Sequence, residues 1–375
     1  MGNSSSLLPE EWHVVIVGGG FAGARLAHNL KGKCKFTLID GRDGMHYAVA
    51  SLRASVESGF AEHIFIPYTD IVEKDSFKKG TVTGIDPENK IVKMENGEEI
   101  IYTHLVISTG TSVPFPGKLP LDVDMSEGKE IYAKLVQEIE KSNNIVIIGG
   151  GAVGVEMATE IAEDHPKKQV TVIHSKQVLV SDAFSNKFHK ETRRQLDALG
   201  VKLILGEKVE NMDDLPDHFM EEKFKVTTNK GNEIEANLII KCTGTKVNTS
   251  AYAESLGGSM DEIGQLKVND FFEVEGQNQI FAIGDCCNTN ETKMAFRAGF
   301  HADLIVQNFI QESKGNKKHP YKPKGPIMIL SLGRNGGVFQ INSFNFGSFA
   351  ARKLKSKDMM VNKYYKDLGL KPPKK

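Results

Sequence analysis

The sequence predicts an α/β protein with two parallel-sheet domains of one design and a small α+β segment at the C-terminal end. Three observations carry this. A glycine-rich turn, Gly18-Gly-Gly-Phe-Ala-Gly23, recurs as Gly149-Gly-Gly-Ala-Val-Gly154 about 130 residues later. Each turn follows a four-residue aliphatic run, 14–17 and 145–148, of the kind expected from a strand buried on both faces. A third apolar run in each half ends alike, the first at Thr109-Gly110 and the second at Thr243-Gly244, so the repeat extends beyond the glycines.

Both turns fit G-x-G-x-x-G. The first glycine makes the tight turn, the second lets backbone approach a pyrophosphate, and the third allows the helix to pack closely on the strand. In the first copy these are Gly18, Gly20 and Gly23, with Gly19, Phe21 and Ala22 between them. The helix starting near Phe21 would present unpaired N–H groups to phosphate. A second strand, 36–39, ends at Asp40, where an acid is expected to bind ribose hydroxyls.

After Asp40, a glycine-rich loop leads into a helix running to about residue 59. Strands at 81–85, 91–94 and 98–102 form a small meander, with Asn96-Gly97 as its hairpin turn. The apolar strand from His104 follows, and Pro114-Phe-Pro-Gly117 closes the domain. A helix at 129–141 leads to the second motif, Gly149, Gly151 and Gly154, with Ala152 and Val153 opening its helix. The next strand, 170–173, ends at His174-Ser175-Lys176 and offers no acid. Such a site admits either NADH or NADPH, because nothing there repels a 2′-phosphate.

A helix at 186–199, a strand at 201–205 and β segments at 224–228 and 233–240 complete the second half. The strand after Gln279 ends in Gly284-Asp285, a carboxylate suited to ribityl or sugar hydroxyls, or else to capping a helix. That helix runs from Thr292 to about residue 311, with Met294 and Ala295 in its first turn, and its N-terminus suits the charge of a reduced isoalloxazine. A Pro-rich linker, 314–326, precedes a hairpin at 327–332 and 337–341, an aromatic stretch at 344–349 and a basic helix at 349–357. The expected domains are a leader, 1–11; a first dinucleotide-binding domain, 12–117 with 246–312; a second dinucleotide-binding domain, 118–245; and a C-terminal domain with a basic tail, 313–375.

With 40% hydrophobic residues, 25% charged residues and a net charge of −1, the chain reads as globular and as a poor match for a nucleic-acid-binding surface. The exception is 351–375, with nine lysines or arginines against Asp358 and Asp367. The four cysteines show no C-x-x-C spacing, so neither a disulfide framework nor a metal site is expected. Met1-Gly2-Asn3-Ser4-Ser5-Ser6 fits the motif for N-myristoylation of Gly2. One acyl chain anchors only marginally, and the basic tail is the expected second signal.

Together these motifs resemble the flavoprotein reductases with two dinucleotide domains, and within them the apoptosis-inducing-factor-like group of NAD(P)H:quinone oxidoreductases. The match rests on the two glycine turns, Leu52-Arg-Ala-Ser-Val-Glu57, Gly154-Val-Glu-Met157, Ile283-Gly-Asp-Cys286 and Leu330-Ser-Leu-Gly-Arg-Asn335, and is nearly full length. The resemblance implies FAD, or a modified form of it, on the first motif, with Arg53 and Val82 at its adenine side and Asp285 at its ribityl chain. It implies NADH or NADPH on the second motif, with Glu156 near the nicotinamide. It also implies ubiquinone and vitamin K as acceptors, suppression of lipid peroxidation and ferroptosis as the outcome, and residence at the cytoplasmic face of the plasma membrane and lipid droplets with a cytosolic pool. Candidate proton donors are Glu156, Lys293 and His301, the last read as a helix-surface residue. Dimerisation is left open. The rival readings are a flavin-bearing pro-apoptotic factor that binds nucleic acid, and a reductase of a small redox protein.

Overall fold

The computed structural model describes residues 7–373; Gly2, which carries the lipidation motif, lies outside them, as do Lys374 and Lys375. The first unit contains β1 (His13–Val17), α1 (Phe21–Leu30), β2 (Lys35–Asp40), α2 (Ser51–Ala54), β3 (Phe77–Lys79) and β4 (His104–Ile107). The second contains α3 (Met125–Lys141), β5 (Asn144–Ile148), α4 (Ala152–Asp164), β6 (Gln169–His174), α5 (Asn186–Ala198), β7 (Lys202–Leu205) and β8 (Leu238–Lys241). The chain then returns to the first unit with β9 (Ile280–Ala282) and α6 (Ala295–Ser313).

Two all-parallel sheets result, in the orders β9-β4-β1-β2-β3 and β7-β6-β5-β8. Val14, Val15 and Ile16 of β1, and Ile145, Val146 and Ile147 of β5, are buried, as their aliphatic runs require. In each sheet the glycine-bearing strand has its successor on one side and the third strand on the other. The connections therefore part above its C-terminal end, which is where such sheets bind ligands. Thr111–Ser112 pairs antiparallel with Lys246–Val247 where the chain crosses out of the first unit and back.

β10 (Ile327–Leu332), β11 (Gly336–Ile341) and β12 (Phe344–Phe346) make an antiparallel meander. Its Leu330, Leu332 and Val338 join the apolar core beneath α4 and α5. In the β10–β11 turn, Arg334 pairs with Glu57 at 2.8 Å and with Asp164. The last helix, α7 (Val361–Asp367), lies against α1, where Arg25 donates to the Asp367 carbonyl at 2.6 Å.

Several expectations change. The helix expected to reach residue 59 is one turn, α2, followed by turns that run to Gly59, at φ +79°. The β segment 233–240 is two strands. Asn237 separates them: Glu233–Ala236 pairs with Phe224–Thr227, while β8 joins the parallel sheet. The basic helix is a single α-turn, Ser348–Ala351, that widens into a π-helical stretch, Arg352–Ser356. The basic tail is folded through most of its length: Leu368 is buried in the core of the first unit and Tyr364 packs beside Phe21 and Tyr47.

Candidate active site

The glycine turns are the same object built twice. Gly18 and Gly149 have φ of +99° and +115°, and a Cβ at either would meet the third strand's exit, the Ser108 carbonyl in one unit and the Cys242 carbonyl in the other. A Cβ on Gly23 or Gly154 would overlap the carbonyl of Gly18 or Gly149. At Gly20 and Gly151 nothing lies within 4 Å of the added carbon. These two are the N-caps of α1 and α4, and no side chain caps either helix. Open space over uncapped N–H groups is a cradle for an anion.

Around the first cradle, Asp40 accepts from the Gly19 N–H at 2.6 Å and from the Arg42 N–H at 3.0 Å, while the Tyr68 hydroxyl donates to the Gly19 carbonyl at 3.0 Å. Val82 is buried next to Thr81, whose hydroxyl borders Gly41 after Asp40. Gly284, at φ +76°, brings its turn against Ala22. Asp285 in that turn accepts from the Thr111 hydroxyl at 2.8 Å and lies 3.7 Å from the Lys118 ammonium. Burial pushes the Lys118 pKa down, with Arg42 adding to this and Asp285 opposing it. Thr109 and Gly110 are clamped by Asn248, which donates to the Thr109 carbonyl at 2.8 Å and, through its N–H, to the Gly110 carbonyl at 3.1 Å. Met294 is the N-cap of α6 and Ala295 its first residue.

In the second unit the His174 ring lies against Gly150. Burial lowers the His174 pKa, so the ring is neutral at physiological pH; Lys176 lowers it further, while a Val178 backbone hydrogen bond and Asp182 oppose. Lys176 pairs at the surface with Asp182 at 3.4 Å. Ala152 and Val153 open α4, and Gly244, at φ +75°, follows Thr243 just as Gly110, at φ +65°, follows Thr109. Glu156, on α4, is buried. Its Oε1 accepts from the Ser331 N–H at 2.8 Å, the Ser331 hydroxyl at 2.9 Å and the Lys355 ammonium at 2.6 Å.

Three expected roles do not match the positions found. The Arg53 side chain is turned toward the second unit, where its guanidinium is held by Glu160 on α4, at 2.5 and 2.9 Å, and by the Ser356 carbonyl. Its guanidinium is thus engaged by protein partners, and the adenine-side role expected of it has no support in these contacts. Lys293 donates to the Cys287 and Thr289 carbonyls and the Thr289 hydroxyl, so its ammonium staples the loop before α6. His301 is not on the surface; it is buried, between Gly284 and Glu291. Conversely, Arg42, Tyr68, Lys118, Ser331 and Lys355 went unrecognised in the sequence; apart from Arg42, which meets Asp40 two residues away, they reach the site through contacts that no local motif announces.

The residues of the first cradle fit a flavin dinucleotide. Gly20 leaves the space a pyrophosphate needs, and the buried Arg42 Nε has no hydrogen-bond partner beside it. The model for the pyridine nucleotide-disulphide oxidoreductases matches residues 12–301. The chain belongs to this family. It is an FAD-dependent NAD(P)H oxidoreductase. The chain is 41% identical over 374 residues to Ferroptosis suppressor protein 1 of Mus musculus, covering 100% of both chains. It is 34% identical to Apoptosis-inducing factor homolog B of Dictyostelium discoideum, over 97% of this chain and 98% of that one. The fold is shared with the sulfide:quinone oxidoreductase of Aquifex aeolicus, at a TM-score of 0.74 and 19% identity over 96% of this chain and 93% of that one. It is also shared with Plasmodium falciparum NDH2 in complex with NADH, at a TM-score of 0.72 and 14% identity over 95% and 99%. Among the described residues of this family member, no helix is long and apolar enough to cross a membrane.

Proposed function

We propose that the chain is a membrane-attached NAD(P)H:quinone oxidoreductase that reduces ubiquinone and vitamin K to hydroquinones and thereby suppresses lipid peroxidation and ferroptosis. The observation that carries this reading lies on the C-terminal lobe. Phe344, Phe346, Phe349 and Leu354 stand exposed there beside Arg352, Lys353 and Lys357, while Lys355, from the same turn, points inward to Glu156. An aromatic and basic rim suits an anionic bilayer surface, and one lobe would then present both the lipid contact and the acceptor site. The likeness to ferroptosis suppressor proteins supports the same reading.

The first cradle holds FAD: the N–H groups at Gly20 and Phe21 face the pyrophosphate, Asp40 the ribose, and Asp285 with Lys118 the ribityl chain. Flavin bound there would supply the two-electron chemistry that links the nicotinamide to the quinone. The second cradle holds NADH or NADPH, with His174 neutral and no acid to exclude the phosphate. Glu156 orients the Lys355 ammonium, which supplies protons to the reduced acceptor. N-myristoyl Gly2 and the rim attach the protein to the cytoplasmic face of the plasma membrane and lipid droplets, leaving a cytosolic pool.

The test is anaerobic. Purified protein shows a flavin spectrum, NADH or NADPH bleaches it, and a short-tailed ubiquinone restores it. Bleaching by neither nucleotide refutes the reductase reading, and bleaching without recovery by quinone refutes the acceptor.

A further inference from the structure

Behind the Asp285 turn lies a buried polar cluster that none of the roles above uses. The Gly284 N–H donates to His301 Nδ1 at 3.1 Å, and His301 Nε2 lies 2.7 Å from Glu291 Oε1. These two contacts set the tautomer. A backbone N–H only donates, so Nδ1 is bare; Nε2 therefore carries the proton and donates it to the carboxylate. Glu291 is itself held in place by the Arg297 guanidinium and by the Tyr321 hydroxyl at 2.7 Å. Arg297 also donates to the Lys324 and Gly325 carbonyls, at 3.0 and 2.7 Å, so the cluster ties the linker before β10 to the same point. The side chains of both Glu291 and His301 are 1% exposed. Burial alone would raise the Glu291 pKa, but the hydrogen bonds from His301, Tyr321 and Arg297 outweigh it and hold the carboxyl at about 2.

We infer that His301 and Glu291 are positioning residues of the flavin site: Glu291 fixes the imidazole in the tautomer that accepts from Gly284, and that hydrogen bond fixes the turn carrying Asp285. The argument rests on flavin occupying the first cradle. Gly284, at φ +76°, is in a conformation that needs such a tether, because a glycine turn exchanges readily among alternatives. One carboxylate placed wrongly by a fraction of an ångström loses its ligand contact.

Two substitutions at one site separate positioning from bulk stability. In His301→Asn the side-chain oxygen falls where Nδ1 was and still accepts from Gly284; in His301→Gln the side chain reaches Glu291 and leaves Gly284 unpaired. Flavin is stripped, and rebinding is followed by fluorescence quenching. We expect His301→Asn to rebind flavin within about twofold of the parent and His301→Gln to bind about tenfold more weakly, the cost of roughly one hydrogen bond. Glu291→Gln, which leaves Arg297 without its counter-charge and the tautomer unfixed, falls between them. The KM for NADH stays unchanged in all three, since the second cradle is untouched. Equal losses in the Asn and Gln variants, or no loss in either, overturn the inference. Asp285→Asn is the control: if it leaves flavin affinity unchanged, the placement of flavin is at fault and not the tether.

Discussion

Replacing Arg53 by Met tests the reassignment of this residue from a cofactor contact to an inter-unit tie. Met keeps the aliphatic stem but removes the donors to Glu160, at 2.5 and 2.9 Å, and to the Ser356 carbonyl, at 3.0 Å. Both side chains of the ion pair are 1% exposed, so no water replaces the cation. Breaking a buried pair by removing one partner costs about 3–5 kcal/mol. At roughly 2–4 °C per kcal/mol, the melting temperature falls by about 10 °C. The loss depends on pH. Burial raises the Glu160 pKa above 4.5 and Arg53 opposes the rise. A carboxyl with a raised folded pKa contributes stability that is present at low pH and lost as pH rises through that value. Without Arg53 the folded value climbs further, so the deficit is largest at neutral pH and shrinks toward the acid range, where a protonated Glu160 needs no cation. Arg53→Met with Glu160→Leu removes both charges and recovers most of the stability. Thermal melts at two pH values, with the flavin content of the double variant, decide the matter. A single-variant loss below about 1 kcal/mol, or a stable double variant that has lost its flavin, refutes the structural role.

Gly20→Ala adds a carbon into empty space and leaves the stability of the flavin-free protein unchanged, but flavin affinity falls by about tenfold or more, because that space is where a pyrophosphate approaches. Gly23→Ala, whose Cβ would overlap the Gly18 carbonyl, fails already in folding, as a thermal melt reports. Gly151→Ala retains flavin and raises the KM for NADH and NADPH together. Lys355→Met leaves Glu156 with only the Ser331 donors, so flavin bleaching by NADH persists while quinone turnover falls about a hundredfold, as stopped-flow measurement of the two half-reactions shows. Gly2→Ala moves the protein from liposome pellet to supernatant while activity on a soluble quinone stays intact; a variant that still pellets excludes the lipid as the main anchor.

What could be read in the sequence was what is local. The strands, the two helices opening at Phe21 and Ala152, and the glycine turns were all legible, because each shows in burial periodicity or in a short motif of fixed spacing. The site's polar contacts are of another kind. Ser331 and Lys355 meet Glu156 across 175 and 199 residues, Arg53 meets Glu160 across 107, and Thr111 meets Asp285 across 174. A charged residue destined for such a pair looks, in sequence, like any solvated lysine or arginine. The errors follow from this. Arg53, assigned a ligand by resemblance, is held by an ion pair. His301, read as a surface histidine on a helix, is buried because α6 turns that face toward the Asp285 turn. The basic tail, a charge excess in sequence, loses its simple meaning once Lys355 is turned inward and Lys363 pairs with Asp367. Three of its other cations, Arg352, Lys353 and Lys357, share their stretch with exposed Phe349 and Leu354, a mixture that suits a lipid headgroup layer better than it suits nucleic acid.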